Sequence, residues 1–291
     1  MPEQKTRPTV DLVVPFVGSD DALARLLDTL GGVQLGDADR LIVVDNGAES
    51  RTRADDRVVA APDVQSSYYA RNAGAAEGSA PWIVFLDADV RPAPDVVEAY
   101  QLATVPDDVG FLAGRIIDDD PRGKPEDGLG ARYNHARSSL GNDLSERDGF
   151  FYGKTANVAV RRAAFEAIGG FRGDLRSGGD AEICFRMRDA GWVIAKCEKS
   201  CVDHVGRASV VKVLRQMARY GSGARWLDDH YPGFSPEPGN YVRYIGGAVR
   251  LMLRAVPLAV RGHREEAAFA VLDGAASLAY LVGRRVSNVV S

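Results

Sequence analysis

Residues 81–94 read PWIVFLDADVRPAP, from Pro81 to Pro94. The stretch opens on an unbroken apolar run, Trp82-Ile83-Val84-Phe85-Leu86. Such a run suits a strand buried on both faces of a parallel sheet. It stops at Asp87-Ala88-Asp89, and prolines at 92 and 94 predict no immediate return to regular structure. Asp87 and Asp89 therefore stand at the C-terminal end of a buried strand, the edge where open α/β sheets bind ligands. Two close carboxylates repel unless a cation or a hydrogen-bonding ligand stands between them. An oxygen-seeking divalent ion bridging to a phosphate answers that need. A turn or a helix cap also uses Asp.

Working outward, Thr9–Val17 reads as a first strand and Asp21–Leu30 as a helix, with Leu23, Leu26, Leu27 and Leu30 at helical spacing. Arg40–Val44 is a second apolar strand, ended by the turn Asp45-Asn46-Gly47. A short strand over Val58–Ala61 and a helix over Ser67–Glu77 precede the opening stretch. The alternation predicts an α/β, doubly wound, mostly parallel sheet. Two acidic turns, at Asp45 and Asp87, then fall on one sheet edge. Neither G-x-G-x-x-G nor G-x-x-x-x-G-K-[ST] follows the first strand, which disfavours dinucleotide and P-loop readings. Beyond Pro94 the pattern predicts a helix over Pro94–Ala103, a strand over Gly110–Ile117 and a polar, Gly-rich loop over Asp118–Gly149. Helices follow over Arg161–Ile168, Asp180–Ala190 and Ser209–Trp226, with a strand over Trp192–Lys196.

The 291 residues are 45% hydrophobic and 26% charged, ordinary values for a folded chain with room for a large core. A net charge of -4 does not suggest a nucleic-acid binder. Residues 205–291 nevertheless hold twelve Lys+Arg against six Asp+Glu, a balance of +6. Subtracted from totals of 36 and 40, residues 1–204 hold 24 and 34, a balance of -10. Three cysteines without C-x-x-C spacing suggest reduced thiols and a cytoplasmic chain. The N-terminus lacks an apolar leader core. No spanning helix is expected, because Ala267–Gly283 is interrupted by Asp273.

Five segments occur in the order typical of a known family: VVPFVGSDDALARLLDTL, LIVVDNG, YYARNAGAAEGSAPWIVFLDADVRP, GKTANVAVRRAAFEAIGGF and GGDAEICFRMRDAGW. From about residue 10 to about residue 226 the chain resembles family 2 glycosyltransferases of the GT-A fold, a Rossmann-like nucleotide-diphospho-sugar transferase architecture. The resemblance implies a GT-A domain over 1–204, with a nucleotide-binding half (9–117) and an acceptor half (118–204). A C-terminal helical region (205–291) would partly complete the site. It implies inverting transfer from a nucleotide sugar, foremost a UDP-sugar, to an unidentified acceptor (small molecule, glycan, lipid-linked or peptide), with Mn²⁺ or Mg²⁺. By the same resemblance Pro15, Phe16, Val17, Asp45 and Arg71 hold the base. Asp87 and Ala88 meet the nucleoside, Asp89 and His204 the metal, and Lys154 the diphosphate or donor sugar. Asp180 matches the general base, although the Glu that usually precedes it is replaced by Gly179. An N-cap role for Asp180 or Ser177 accounts for the same position. Glu182 and Arg219 are candidates for acceptor or diphosphate contact. Two other readings stay open: a nucleotidyltransferase, which would want a Gly-rich basic loop after the first strand, and a non-catalytic nucleotide-sugar-binding protein.

In Tyr241–Val256 the residues Arg243, Arg250 and Arg254 share a narrow helical face. Either this helix meets anionic lipid at the inner face of a membrane, or it caps the fold with a solvated basic face. Glu265–Val282 would pack on it as a hairpin or form a homodimer contact.

Overall fold

The computed structural model describes residues 7–50, 55–137 and 151–290. In chain order the elements are β1 (Val10–Phe16), α1 (Asp20–Leu30), β2 (Arg40–Asp45), β3 (Val58–Ala60), α2 (Ser67–Glu77), β4 (Trp82–Leu86), β5 (Val90–Pro92) and β6 (Val109–Asp118). There follow α3 (Leu129–Arg137), β7 (Asn157–Arg161), α4 (Arg162–Ala167), α5 (Gly179–Asp189), β8 (Val193–His204), α6 (Val210–His230), α7 (Tyr241–Leu253), α8 (Ala255–Val260) and α9 (Arg264–Gly283). Among the described residues they form two compact units, 7–118, 151–205 and 289–290 in one, and 119–137 with 206–288 in the other. Residues 119–137, expected in the acceptor half, cluster with the C-terminal helices. Part of the expected 118–149 loop is helix α3, and residues 138–149 lie outside the described residues.

The first unit is built on an eight-stranded sheet of order β3-β2-β1-β4-β7-β6-β8-β5. Strands β1 and β4 are buried at every position. They sit centrally, and apolar side chains on both faces exclude water from the backbone ladder. Helix α1 turns Leu23, Leu26 and Leu30 to the core, and the Ser19 hydroxyl accepts the Ala22 N–H at 3.3 Å to start it.

Strand directions place the site. β1 is parallel to β2 and to β4, so the chain leaves β1 toward both sides and the switch point lies at its C-terminal end. β7 is antiparallel to both β4 and β6, and β6 is parallel to β8. Hence β4, β6 and β8 run the same way, and Asp87, Asp118 and His204 arrive at one edge with Asp45. β5 is antiparallel to β8, with Val90 opposite His204.

Two expectations are corrected. Pro92 does not prevent a strand, because β5 is an edge strand where a missing N–H costs little. Pro94–Ala103 is not an α-helix but two 3₁₀ turns, Glu98–Tyr100 and Leu102–Thr104. Burial of Val96, Val97, Tyr100 and Leu102 holds this segment to the core, and left-handed Gln101 (φ 53°) breaks any continuous helix.

In the second unit α9 packs against α6, α7 and α8. By length and a mean hydropathy of 1.3, α9 would suffice to cross a membrane. Here it is the central helix of the unit. Asp273 on it accepts Tyr133 Oη–H at 3.0 Å and Arg137 at 2.7 and 2.9 Å. The expected hairpin of the last segment on α7 is present.

Candidate active site

Asp87 follows β4 directly and is fixed by the main chain, its N–H donating to Ala156 O at 3.3 Å. Its Oδ1 accepts from the Arg71 guanidinium. Arg71 is 2% exposed, on α2, and its guanidinium lies 5.6 Å from the Tyr68 ring centroid and 5.9 Å from that of Phe171. Burial pushes the Asp87 carboxyl above its ordinary range, Arg71 opposes this, and the charges of Asp89 and Asp180 reinforce it. Asp87, Asp89, Asp180, Arg71 and His204 therefore share one electrostatic neighbourhood.

His204 ends β8 and is 1% exposed. Its Nδ1 lies 2.8 Å from Asp118 Oδ1, and its Nε2 faces Asp89 Oδ2 at 3.7 Å, too far for a hydrogen bond. Nε2 is buried and makes no hydrogen bond. Burial works against the imidazolium, yet the Asp118 and Asp89 carboxylates outweigh it and raise the pKa to about 9. A buried ring nitrogen aimed at a carboxylate, with a second carboxylate holding the other nitrogen, is the arrangement that orients a metal-binding histidine. The residues present thus fit a divalent cation at Asp89 and His204. No cluster of three or more His, Cys, Asp or Glu able to hold a metal occurs among the described residues, so the other ligands would come from substrate and water.

Asp180 lies in the first turn of α5. Its Oδ1 accepts Thr155 Oγ1–H at 2.9 Å and its Oδ2 the Thr155 N–H at 3.4 Å. The N-cap of α5 is Gly178, at φ 83°, so Asp180 lies inside the first turn and Ser177 precedes the cap. Gly179 explains the missing Glu. A Cβ there would sit 2.7 Å from the Tyr68 ring, closer than any side chain tolerates.

The remaining predicted residues divide. Asp45 is 3% exposed at the end of β2, opposite Phe16, and its Oδ1 accepts the Gly47 N–H at 3.2 Å. Pro15 and Phe16 are buried, whereas Val17 is exposed. Ala88 and Lys154 are half-buried, Lys154 immediately before Thr155. Glu182 is engaged within the protein. It is 2% exposed, and both its oxygens are held by Arg186 at 2.6 Å. Arg186 also donates to Ile168 O at 2.6 Å and Gly170 O at 2.7 Å, tying α5 to the turn after α4. Arg219 is exposed on α6 in the second unit.

Sequence reading missed Asp118, Thr155 and Asn157. Asn157 is fully buried, accepting Tyr100 Oη–H at 2.8 Å and donating to Arg115 O at 3.1 Å and Ser200 O at 3.3 Å. It binds β7 to β6 and β8 behind the site. Asp118 had one available signal, an acid ending an apolar run as Asp45 and Asp87 do.

Over residues 82–278 the sequence matches the family described as Glycosyl transferase family group 2. The chain belongs to that family. The pre-mycofactocin glycosyltransferase of Mycobacterium tuberculosis (strain ATCC 25618 / H37Rv) is 29% identical over 238 residues, 77% of this chain and 48% of that protein. The chain thus spans about half the length of that family relative, at 48%. Glycosyltransferase AglE of Haloferax volcanii is 25% identical over 265 residues, 81% of this chain and 84% of its own. Among solved structures, the mannosyltransferase PcManGT from Pyrobaculum calidifontis in complex with GDP-Man and Mn²⁺ superposes with a TM-score of 0.61 at 16% identity, covering 98% of this chain and 89% of its own. Glucosyl-3-phosphoglycerate synthase from Mycobacterium tuberculosis, in complex with Mn²⁺, UDP-glucose and phosphoglyceric acid, gives 0.50 at 20% identity, over 76% and 79%. This family 2 chain has the GT-A glycosyltransferase fold, with C-terminal helices.

Proposed function

We propose that this chain is an inverting glycosyltransferase that moves a sugar from a nucleotide-sugar donor, foremost a UDP-sugar, to an acceptor nucleophile with the help of Mn²⁺ or Mg²⁺. The observation that carries it is the unbonded Nε2 of buried His204 facing Asp89 beside Asp87, at the sheet edge where Asp180, from the first turn of α5, also acts on the Asp87 carboxyl. Asp89 and His204 would hold the cation, with Asp118 fixing the imidazole. When bound, the ion supplies charge neutralisation for the departing diphosphate. Asp87, steadied by Arg71, receives the nucleoside. Asp45 would accept the N3–H of uracil. Asp180, oriented by Thr155, takes the proton of the acceptor nucleophile as it bonds to the anomeric carbon. The bond from that carbon to the diphosphate breaks at the same time, the nucleoside diphosphate leaves with the electron pair, and the configuration inverts.

Hydrolysis or transfer of UDP- and GDP-sugars, with Mn²⁺ and with EDTA, tests the reading. Asp180→Asn is expected to slow turnover by about 10²–10⁴-fold while donor affinity holds. Asp89→Asn is expected to remove the metal dependence of donor binding. Absence of turnover with every sugar nucleotide would leave a binding protein and overturn the enzymatic reading. Full activity of Asp180→Asn would overturn the base assignment alone.

A further inference from the structure

Tyr241–Arg264 contains five arginines and no acidic residue. In the structure this stretch is α7, α8 and the turn into α9. Only Arg254 separates α7 from α8, and its φ of -62° and ψ of -19° stay helical. One side packs inward through buried Ala248, with half-buried Tyr244, Leu251 and Met252. A different side carries Val242, Ile245, Val249, Leu253, Val256 and Val260, all between 43% and 83% exposed. Their spacings of three and four residues draw one apolar stripe, about 80° wide at about 100° per residue. It runs for about 27 Å at about 1.5 Å per residue. Arg243, Arg250, Arg254 and Arg261 make a second row, about 120° round the helix from the middle of the stripe. Arg243, Arg250 and Arg261 form no ion pair among the described residues. A merely solvated basic face would not carry six exposed aliphatic side chains in register.

The charge selects the occupant. A two-fold contact between copies would set arginine row near arginine row, with no acid in the stretch to answer them. A nucleic acid would satisfy the arginines and leave the aliphatic stripe in water. The headgroup layer of an anionic bilayer satisfies both, taking the aliphatic side chains at the acyl boundary and the guanidiniums at the phosphates.

We propose that the α7–α8 face is a membrane-docking surface that lies in the headgroup layer of a bilayer rich in anionic phospholipid. The surface stands on its own geometry and does not depend on the catalytic reading.

Co-sedimentation of the full chain with phosphatidylcholine vesicles, and with vesicles of equal parts phosphatidylcholine and phosphatidylglycerol, tests it. Binding is expected with the mixed vesicles, much weaker binding with phosphatidylcholine alone, and release by salt. Arg243→Gln with Arg250→Gln is expected to weaken binding roughly 25-fold, about fivefold for each arginine. Val249→Asp with Leu253→Asp is expected to weaken it by about tenfold or more. All four positions are exposed, so thermal midpoints should match the wild type. Three results would each overturn the proposal: no sedimentation of the wild type with the mixed vesicles, equal binding by both double variants, or a dimer in light scattering that Val249→Asp with Leu253→Asp dissolves.

Discussion

Removing Arg186 is expected to cost the fold more than removing the charge of Glu182. Glu182 is the buried member of the pair, its side chain 2% exposed against 25% for Arg186. Arg186→Met strips a buried carboxylate of both its donors and leaves the carbonyls of Ile168 and Gly170 without theirs. Breaking a buried pair in this way costs about 3–5 kcal/mol. Glu182→Gln keeps the side-chain shape and one acceptor oxygen, and Arg186 keeps its two carbonyl partners and its contact with water. That loss is about 1–2 kcal/mol. Urea unfolding of the two variants measures the difference directly, and Arg186→Met should also melt about 10 °C lower than the wild type. An acceptor KM measured on Glu182→Gln separates structure from binding. A raised acceptor KM with an unchanged unfolding midpoint would refute the structural assignment, as would Glu182→Gln proving the more destabilising variant.

Two further outcomes are expected. In metal-free protein the His204 pKa, raised from 6.5 to about 9, makes its proton stabilising. That contribution is complete below 6.5 and is lost as pH rises through 9, amounting to about 3 kcal/mol at most. Melting in EDTA should therefore fall across this window in the wild type and much less in His204→Gln, and a rise would contradict the ion-pair geometry. Gly179→Ala drives a methyl to within 2.7 Å of the Tyr68 ring and should cost about 1–3 kcal/mol in urea unfolding. Tyr68→Ala should relieve it, and a wild-type midpoint for Gly179→Ala would remove the steric reason for the missing Glu.

Much of the first unit was legible along the chain. The apolar runs of β1, β2 and β4 announce buried strands without reference to any partner, because a strand covered on both faces needs no polar alternation. Helix α2 spans Ser67–Glu77, the bounds read from the sequence. Less was legible after Pro94. β8 runs to His204 rather than stopping at Lys196, since Glu198, Lys199 and Asp203 break the apolar pattern while the ladder to β6 continues. On α7 the sequence showed arginines on one face, and the fold revealed that the aliphatic residues beside them remain uncovered.

The stretch from Pro81 to Pro94 shows the same division. The amino-acid order alone determined that a buried strand ends in two carboxylates, because the apolar run and its abrupt polar stop are local properties. It could also place Asp45 and Asp87 on one edge, because parallel strands share their C-terminal ends. Only the tertiary structure decided that Asp89 meets His204, that Asp118 holds the opposite nitrogen and that Thr155 orients Asp180. Those contacts depend on sheet register between β5, β6, β7 and β8, and on pairs 25 to 115 positions apart. Register is set by the packing of whole strands, and no local pattern encodes it.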